Sequence, residues 1–403
     1  MPRTRYTSPH RRLTRDASTL ESLALALHSS GSRVEDTYWE IQLAAALTKL
    51  MRAGSDPVID SALEHLSKTN LGGYEVLVEQ CETLSESCVL EKDGKEHDVL
   101  LVVAPLVAWT RYSITKSTIN KKVIDTLTEQ LSAHVLAQGT EIALLPRLAS
   151  LDQMPRTFSE TWQWMHRLGC QSIGLDSLRP DLNREPEGVN MLADTRYVVM
   201  AVSAPKGNAL FRWQEESGEI GEGRVACLEK WAAGTMDLFN RLLPCCGLEI
   251  LIPDAFYVSN READRRVRPL SLKAAVAWLG GALSLEPRAL RAVIAGCGEQ
   301  QIDEYRIGFT QKNENDVIYG CLWPLYGREE EIGEPAEATQ PSTKEQIIAV
   351  LKECGVQDIR NLPGLLTPEF CEDCGAPFFP NPAGEMVHAE LPEDAQTAPQ
   401  HFH

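Results

Sequence analysis

Two long apolar runs constrain the fold of this chain more than any other feature. Residues 98–105 read DVLLVVAP and residues 195–205 read TRYVVMAVSAP, and both have the length and the β-branched content of buried strands. Each run is followed by a helical pattern, by a shorter strand-like stretch and by a second helical pattern. This alternation predicts an α/β fold with a largely parallel sheet and helices on its faces.

The shorter strand-like stretches of the two units are similar to each other. They read GTEIALLP at 139–146 and GLEILIP at 247–253, and the long runs before them contain prolines at matching places, Pro105 and Pro205. We interpret the similarity as an internal duplication of a β-α-β-α unit. The alternative is that two unrelated units share a strand-like composition.

The chain divides into five segments. A basic arm that we expect to be disordered covers residues 1–16, and apolar residues at helical spacing predict a helical region over 17–86. The α/β core follows over 87–327, an acidic linker over 328–342, and a helix with a cysteine-containing tail over 343–403.

Turn signals predict two antiparallel hairpins. Asp93-Gly94 lies between two strand-like runs, the strongest short signal for a hairpin. A polar loop, KNEND, separates two further strand-like runs, IDEYRIGFTQ and DVIYGCLWPLYG. We expect this second pair to extend the end of the main sheet.

Charge and cysteine usage limit the classes of function. The net charge of −18 disfavours nucleic-acid binding, because a surface that follows phosphates needs a basic face. No apolar run approaches the roughly 20 residues that span a bilayer, so we expect no membrane association. Most of the eleven cysteines stand singly in apolar contexts, which is typical of reduced thiols and predicts a cytoplasmic protein.

The tail carries the spacing of a metal site. A Cys-x2-Cys pair is followed by glycine, which is typical of a knuckle whose backbone N–H groups turn toward thiolates, and histidines come later. The predicted zinc ligands are Cys371, Cys374, His388 and either His401 or His403. Four ligands would close the site and make it structural, whereas the spare histidine leaves an open site as an alternative. A redox dithiol and unconnected residues in a disordered tail are the other interpretations.

A second candidate site lies on the core. In a parallel sheet ligands bind beyond the carboxyl ends of strands, and three predicted strand ends are followed by aromatic and arginine residues. The predicted anion-binding residues are Arg111, Arg212, Trp213, Arg261 and Arg265. Glu262 and Asp264 are candidates for acid/base groups, or they are ion-pair partners of the arginines. The alternative is a set of surface helix starts with local salt bridges.

Several unusual strings resemble a bacterial family known as domain of unknown function 2863. They are VAWTRYSI, LADTRYVV, FRWQEE, READRRVRPLSLKAAVAWL, IDEYRIGFT, DVIYGCLWPLYGRE and FCEDCGAPFFPNPAGEMVHAELPED with the final HFH. They extend from about residue 17 to the C-terminus. The resemblance implies a bacterial cytosolic protein and carries no activity, ligand or catalytic residue.

The leading functional hypothesis is a cytosolic, zinc-stabilised binding or regulatory protein. The flexible linker would leave the zinc tail free to reach a protein partner. An enzyme acting on an anionic small molecule at the strand ends is the alternative. RNA contact through the basic arm and the tail is weaker, because the chain is acidic.

Overall fold

The computed structural model of the chain describes residues 13–110, 119–178, 193–215, 220–298, 301–325, 341–393 and residue 395. Four parts follow one another along the chain. They are a helical array, a large antiparallel sheet with helices on both faces, a smaller mixed sheet and a C-terminal module.

The helical array contains four helices. These are α1 (Arg15–His28), α2 (Arg33–Arg52), α3 (Asp56–Thr69) and α4 (Leu71–Glu86). The side chains of Thr14, Ser32 and Asn70 accept backbone N–H groups at the starts of α1, α2 and α4, which satisfies donors that a helix leaves unpaired at its N-terminus. The helices enclose an apolar core of their own.

The large sheet and its helices extend from Ser87 to Leu283. In chain order the elements are β1 (Ser87–Lys92), β2 (Lys95–Trp109), α5 (Lys121–His134), β3 (Glu141–Leu144), β4 (Ala149–Ser150), α6 (Phe158–Ser172), β5 (Ala193–Pro205), α7 (Arg212–Glu215), α8 (Ile220–Leu242), β6 (Gly247–Ile250), β7 (Asp254–Ala255) and α9 (Phe256–Leu283). The hairpin predicted at Asp93-Gly94 is confirmed, since β1 pairs with β2 and both turn residues have positive φ.

The prediction of a largely parallel sheet is wrong. The two long strands β2 and β5 pair antiparallel from His97 opposite Pro205 to Trp109 opposite Ala193. Strands β3 and β4 pair with the other edge of β5, while β1, β7 and β6 pair with the other edge of β2. All of these pairs are antiparallel.

The reason is that the long strand of one unit is inserted into the other unit. Strands β2 and β3, joined by α5, run in the same direction, but β5 lies between them. Strands β5 and β6, joined by α8, also run in the same direction, with β2 between them. This is the topology of a double split β-α-β unit. The two units occupy equivalent places in one sheet, and their duplication stays a prediction.

Helices cover both faces of this sheet. One core lies under α5 and α8 and contains Leu131, Trp231 and Phe239. The core on the opposite face lies under α6 and α9 and contains Met165 and Phe256. The helical array packs on α6 through Phe158 and Trp162, which are shared with its own core.

The second hairpin belongs to a separate sheet. Its elements are β8 (Leu290–Cys297), β9 (Glu304–Gln311), β10 (Tyr319–Pro324), α10 (Thr343–Glu353) and β11 (Asp358–Leu366), in the strand order β10-β9-β8-β11. Only β8 and β11 pair in parallel among these described strands. The predicted β9–β10 hairpin is confirmed, but it does not extend the main sheet.

The two faces of the second sheet have different partners. Tyr305, Ile307 and Phe309 of β9 point into a core with the C-terminal half of α9 and with α10. The alternating residues Arg306 and Gly308 point to the opposite face, where the C-terminal module lies. That module contains the short hairpin β12 (Phe379–Pro380) and β13 (Met386–Val387).

Candidate metal centre

A tight turn places the two tail cysteines side by side. The N–H of Gly375 donates to the carbonyl of Cys371 at 2.9 Å, and the N–H of Cys371 donates to the carbonyl of Ala376 at 2.8 Å. Gly375 has a φ of +72°, which glycine adopts without steric cost. The Cys-x2-Cys-Gly spacing therefore folds as the predicted knuckle.

The hairpin β12–β13 brings His388 back to this knuckle. Its turn is held by Asn381, whose side-chain oxygen accepts the N–H groups of Ala383 and Glu385, each at 2.9 Å. Gly384 occupies the turn with a φ of +88°. Thirteen intervening residues are thus folded back, so that His388 lies beside the cysteines.

The three side chains form one compact donor group. Their ligand atoms all lie within 4.8 Å of one another, and Sγ of Cys374 lies 3.3 Å from Nε2 of His388. A tetrahedral zinc ion separates a sulfur and a nitrogen ligand by about 3.6 Å. Within the described ranges this is the one group of three or more His, Cys, Asp or Glu side chains whose ligand atoms lie this close together.

The surroundings of the donors also fit a metal. Backbone N–H groups of Cys374 and Asp373 point at the Cys371 sulfur and lower the pKa of its thiol, which favours the thiolate that zinc binds. The other ring nitrogen of His388, Nδ1, is buried and lies 3.8 Å from the Glu390 carboxylate. At 3.8 Å this contact is longer than the hydrogen bond by which a carboxylate usually orients a metal-binding histidine.

A buried arginine holds the module on the second sheet. Nη1 of Arg306, a fully buried side chain of β9, donates to the carbonyls of Glu369 and Phe378 at 2.6 and 2.7 Å. The ring of Phe370 lies over the same guanidinium at 4.8 Å. Farther along, the N–H of Glu390 donates to the carbonyl of Val317 at 2.8 Å. The expectation that the tail is free to reach a partner is therefore wrong for the described residues 367–393.

The remaining predicted zinc ligands are His401 and His403. His401 and His403 lie outside the described residues, and so does most of the acidic linker. The fourth ligand therefore stays a prediction.

The described members of the predicted anion-binding set lie in two separate places, Arg212 and Trp213 on α7 and Arg261 and Arg265 on α9. Arg212 donates from Nη2 to the carbonyl of Ser132 in α5, on the α5/α8 face of the large sheet. Trp213 beside it is buried, stacked on Phe211 at 4.3 Å. Arg261 belongs to α9 on the opposite face. Arg111 lies outside the described residues.

The acidic candidates contact neighbouring arginines. Glu262 accepts from Nε of Arg266 at 2.9 Å and lies 3.6 Å from Arg265. Asp264 accepts from Nε of Arg268 at 2.7 Å. These contacts match the alternative of local salt bridges, and a ligand-binding or acid/base role stays a prediction.

One half-buried acidic pair, Glu82 and Glu86, was missed by the sequence reasoning. Nη1 and Nη2 of Arg261 donate to the Glu82 carboxylate at 2.7 and 2.9 Å, joining α9 to α4. One turn farther along α4, Glu86 accepts the N–H of Tyr257 at 3.0 Å. Burial, helped by the negative charge of the nearby Glu82, raises the pKa of Glu86 from 4.5 to about 7. Helical spacing shows that Glu82 and Glu86 share a face, but nothing local shows what covers it.

The fold and the site together define a two-sheet α/β protein with a docked Cys₂His module. A family model described as "Protein of unknown function (DUF2863)" matches residues 5–402. The chain therefore belongs to this family, as the resembling strings predicted. Comparison with curated proteins found no match, and comparison with solved structures found none. No helix in the described ranges is long and apolar enough to cross a membrane.

Proposed function

We propose that Cys371, Cys374 and His388 bind one zinc ion, and that the ion locks the C-terminal module onto the second sheet of a cytoplasmic, non-enzymatic binding or regulatory protein. The observation that carries the metal proposal is the grouping of two sulfur atoms and one ring nitrogen within 4.8 Å. Two thiolates and an imidazole favour zinc over hard cations such as Mg²⁺ or Ca²⁺.

The role of the metal is to cross-link two pieces of chain. The knuckle supplies Cys371 and Cys374, and the hairpin β12–β13 supplies His388. The hairpin itself is one pair of two-residue strands, so the ion would add the connection to the knuckle that a small module lacks. His401 or His403 would complete the tetrahedron.

The absence of disulfides among the described residues supports a reducing compartment. All eleven cysteines are free thiols, including the two of the candidate site. Thiolates kept reduced are available to a metal.

The proposal of a non-enzymatic role rests on the contacts that Arg261, Glu262 and Asp264 make within the chain. In the described part of the core, the guanidinium of Arg261 binds Glu82, and Glu262 and Asp264 contact arginines one helical turn away. A binding or regulatory role agrees with an architecture in which these charges stabilise contacts within the chain.

Native mass spectrometry of the full chain, purified without chelator, tests the metal proposal. We expect one zinc ion per chain in the wild type and none in the variant Cys371→Ser. The matched control is Cys245→Ser, because Cys245 is an exposed thiol that lies outside the site. Wild-type protein that carries no zinc and takes up none on titration would overturn the proposal.

Replacing both His401 and His403 with alanine tests the identity of the fourth ligand. We expect zinc affinity to fall at least about tenfold, the loss typical when a ligand or its supporting group is removed. Unchanged affinity would assign the fourth position to another group.

A further inference from the structure

Helix α2 presents an apolar surface to solvent on the side opposite its core-facing side. Its buried residues Leu43 and Leu47 contact the helical array. On the outward side, Val34, Tyr38 and Ile41 are 83%, 56% and 59% exposed. Scattered exposed apolar residues are ordinary, whereas three on one line of one helix form a continuous patch.

The spacing of this patch is that of a helix–helix seam. The line continues through Ala45 and Thr48, so that successive members are alternately four and three residues apart. We call these five residues the outward stripe: Val34, Tyr38, Ile41, Ala45 and Thr48. Alternating steps of three and four keep side chains in register with a partner helix over several turns. The core-facing residues already account for packing within the chain, so the outward stripe is a second seam.

The N-terminal and C-terminal halves of α2 differ in side-chain size along and beside the outward stripe. The N-terminal half carries the bulky Val34, Tyr38 and Ile41. The C-terminal half contains a shallow groove lined by small residues and by two long basic ones, Lys49 and Arg52. The small residues of the groove are Ala44, Ala45, Thr48 and Ala53. Large side chains of one helix pack well against small ones of another, so the halves complement each other when two copies run antiparallel.

The charged residues of α2 also differ between its N-terminal and C-terminal halves. Glu35, Asp36 and Glu40 lie in the N-terminal half, and Lys49 and Arg52 lie in the last turn, with Arg33 at the start. In an antiparallel pair related by a two-fold axis near Gln42, Glu35 of each copy faces Lys49 of the other. The helix carries three acidic and three basic residues and has no net charge. A second copy would thus meet a neutral surface on a chain whose net charge is −18.

We propose that two copies of this chain associate through the outward stripe of α2, antiparallel and with two-fold symmetry. A symmetric interface needs a self-complementary patch, and α2 has one in both size and charge. At 20 residues the helix is about 30 Å long. The contact is at the small end of specific interfaces, so the dimer forms and dissociates reversibly at micromolar concentrations.

Sedimentation equilibrium from about 1 to about 200 µM tests this proposal. We expect the full-length wild type to dimerise with a micromolar dissociation constant. Ile41→Asp should raise that constant at least about tenfold, because a charge would be buried at the centre of the interface. Val225→Asp is the matched control, since Val225 is 56% exposed on another helix, and it should leave the constant unchanged.

A charge exchange tests the antiparallel geometry separately. Glu35→Lys alone should weaken the dimer, and Glu35→Lys combined with Lys49→Glu should restore it. A wild type that stays monomeric throughout the range, or an Ile41→Asp variant that dimerises as well as the wild type, would overturn the proposal. Dimerisation that appears only after removal of residues 2–12 would also overturn it, since the N-terminal segment would then be the occupant of the stripe.

Discussion

Gly308 and Gly320 lie directly opposite each other in the β9–β10 ladder, and the C-terminal module passes over both. A Cβ atom on Gly308 would overlap the carbonyl oxygen of Pro380, and a Cβ atom on Gly320 would overlap the ring of Phe379. Glycine in the interior of a strand marks a close approach of another chain segment. The C-terminal module therefore packs against the sheet at these two glycines.

Gly320→Ala should loosen the C-terminal module. The added methyl group collides with a ring that is itself 8% exposed, and overpacking of this kind costs about 1–3 kcal/mol. Hydrogen exchange over residues 369–390 should become faster, and the free energy of unfolding should fall. Gly281→Ala in α9 is the control, because a Cβ there has no neighbour within 4 Å. Equal hydrogen-exchange rates and equal free energies of unfolding in the two variants would contradict the packing of the module against Gly320.

Arg306→Met should destabilise the protein strongly. The variant leaves the carbonyls of Glu369 and Phe378 without their donor, together with the carboxylate of Glu304, which accepts from Nε at 2.6 Å. Breaking a buried charged network costs about 3–5 kcal/mol. Urea unfolding measures the loss. The control Arg288→Met removes an exposed ion pair with Glu286 and should cost less than about 1 kcal/mol. A similar small loss for Arg306→Met would show that the arginine does not hold the module.

Glu86 should make stability fall as the pH rises from about 4.5 to about 7. The ordinary pKa of this carboxyl is 4.5 and burial raises it to about 7, so the folded state binds more protons in that window. Glu86→Gln, which removes the charge and keeps the shape, should raise the free energy of unfolding at pH 8 by about 2–3 kcal/mol and change it little near pH 5.

Denaturant unfolding of wild type and variant at both pH values measures this effect. Glu79→Gln, an exposed site on the same helix, is the matched control. A gain from Glu86→Gln that is the same at both pH values would mean that the charge of Glu86 is not responsible.

Local signals predicted the parts of the fold that depend on near neighbours. The Asp93-Gly94 turn needs only two residues that tolerate positive φ, and both adopt it. The knuckle at Cys371 and Cys374 likewise closes through hydrogen bonds between residues five apart or fewer. Sequence patterns find such features because all the groups involved lie within one short stretch of chain.

Features that depend on distant partners were not predictable in this way. Arg306 belongs to a strand with ordinary alternation, and its burial arises only because residues 369–378 lie over it. The placement of Arg212 and Arg261 on opposite faces follows from the sheet topology, which brings their helices to different sides.

The sequence by itself determined the helical array, the long strands and main helices of the large sheet, the similarity of two successive units, and the Cys-x2-Cys pair of the tail, but its patterns did not predict β8 or β11. Tertiary structure alone decided that β5 enters the first unit and β2 the second, which makes the adjacent strand pairs of the large sheet antiparallel. An alternating pattern of strands and helices is satisfied equally by neighbouring or by separated strands, because apolar burial is the same in both. The choice between them depends on which strand edges meet, a contact between residues about a hundred positions apart.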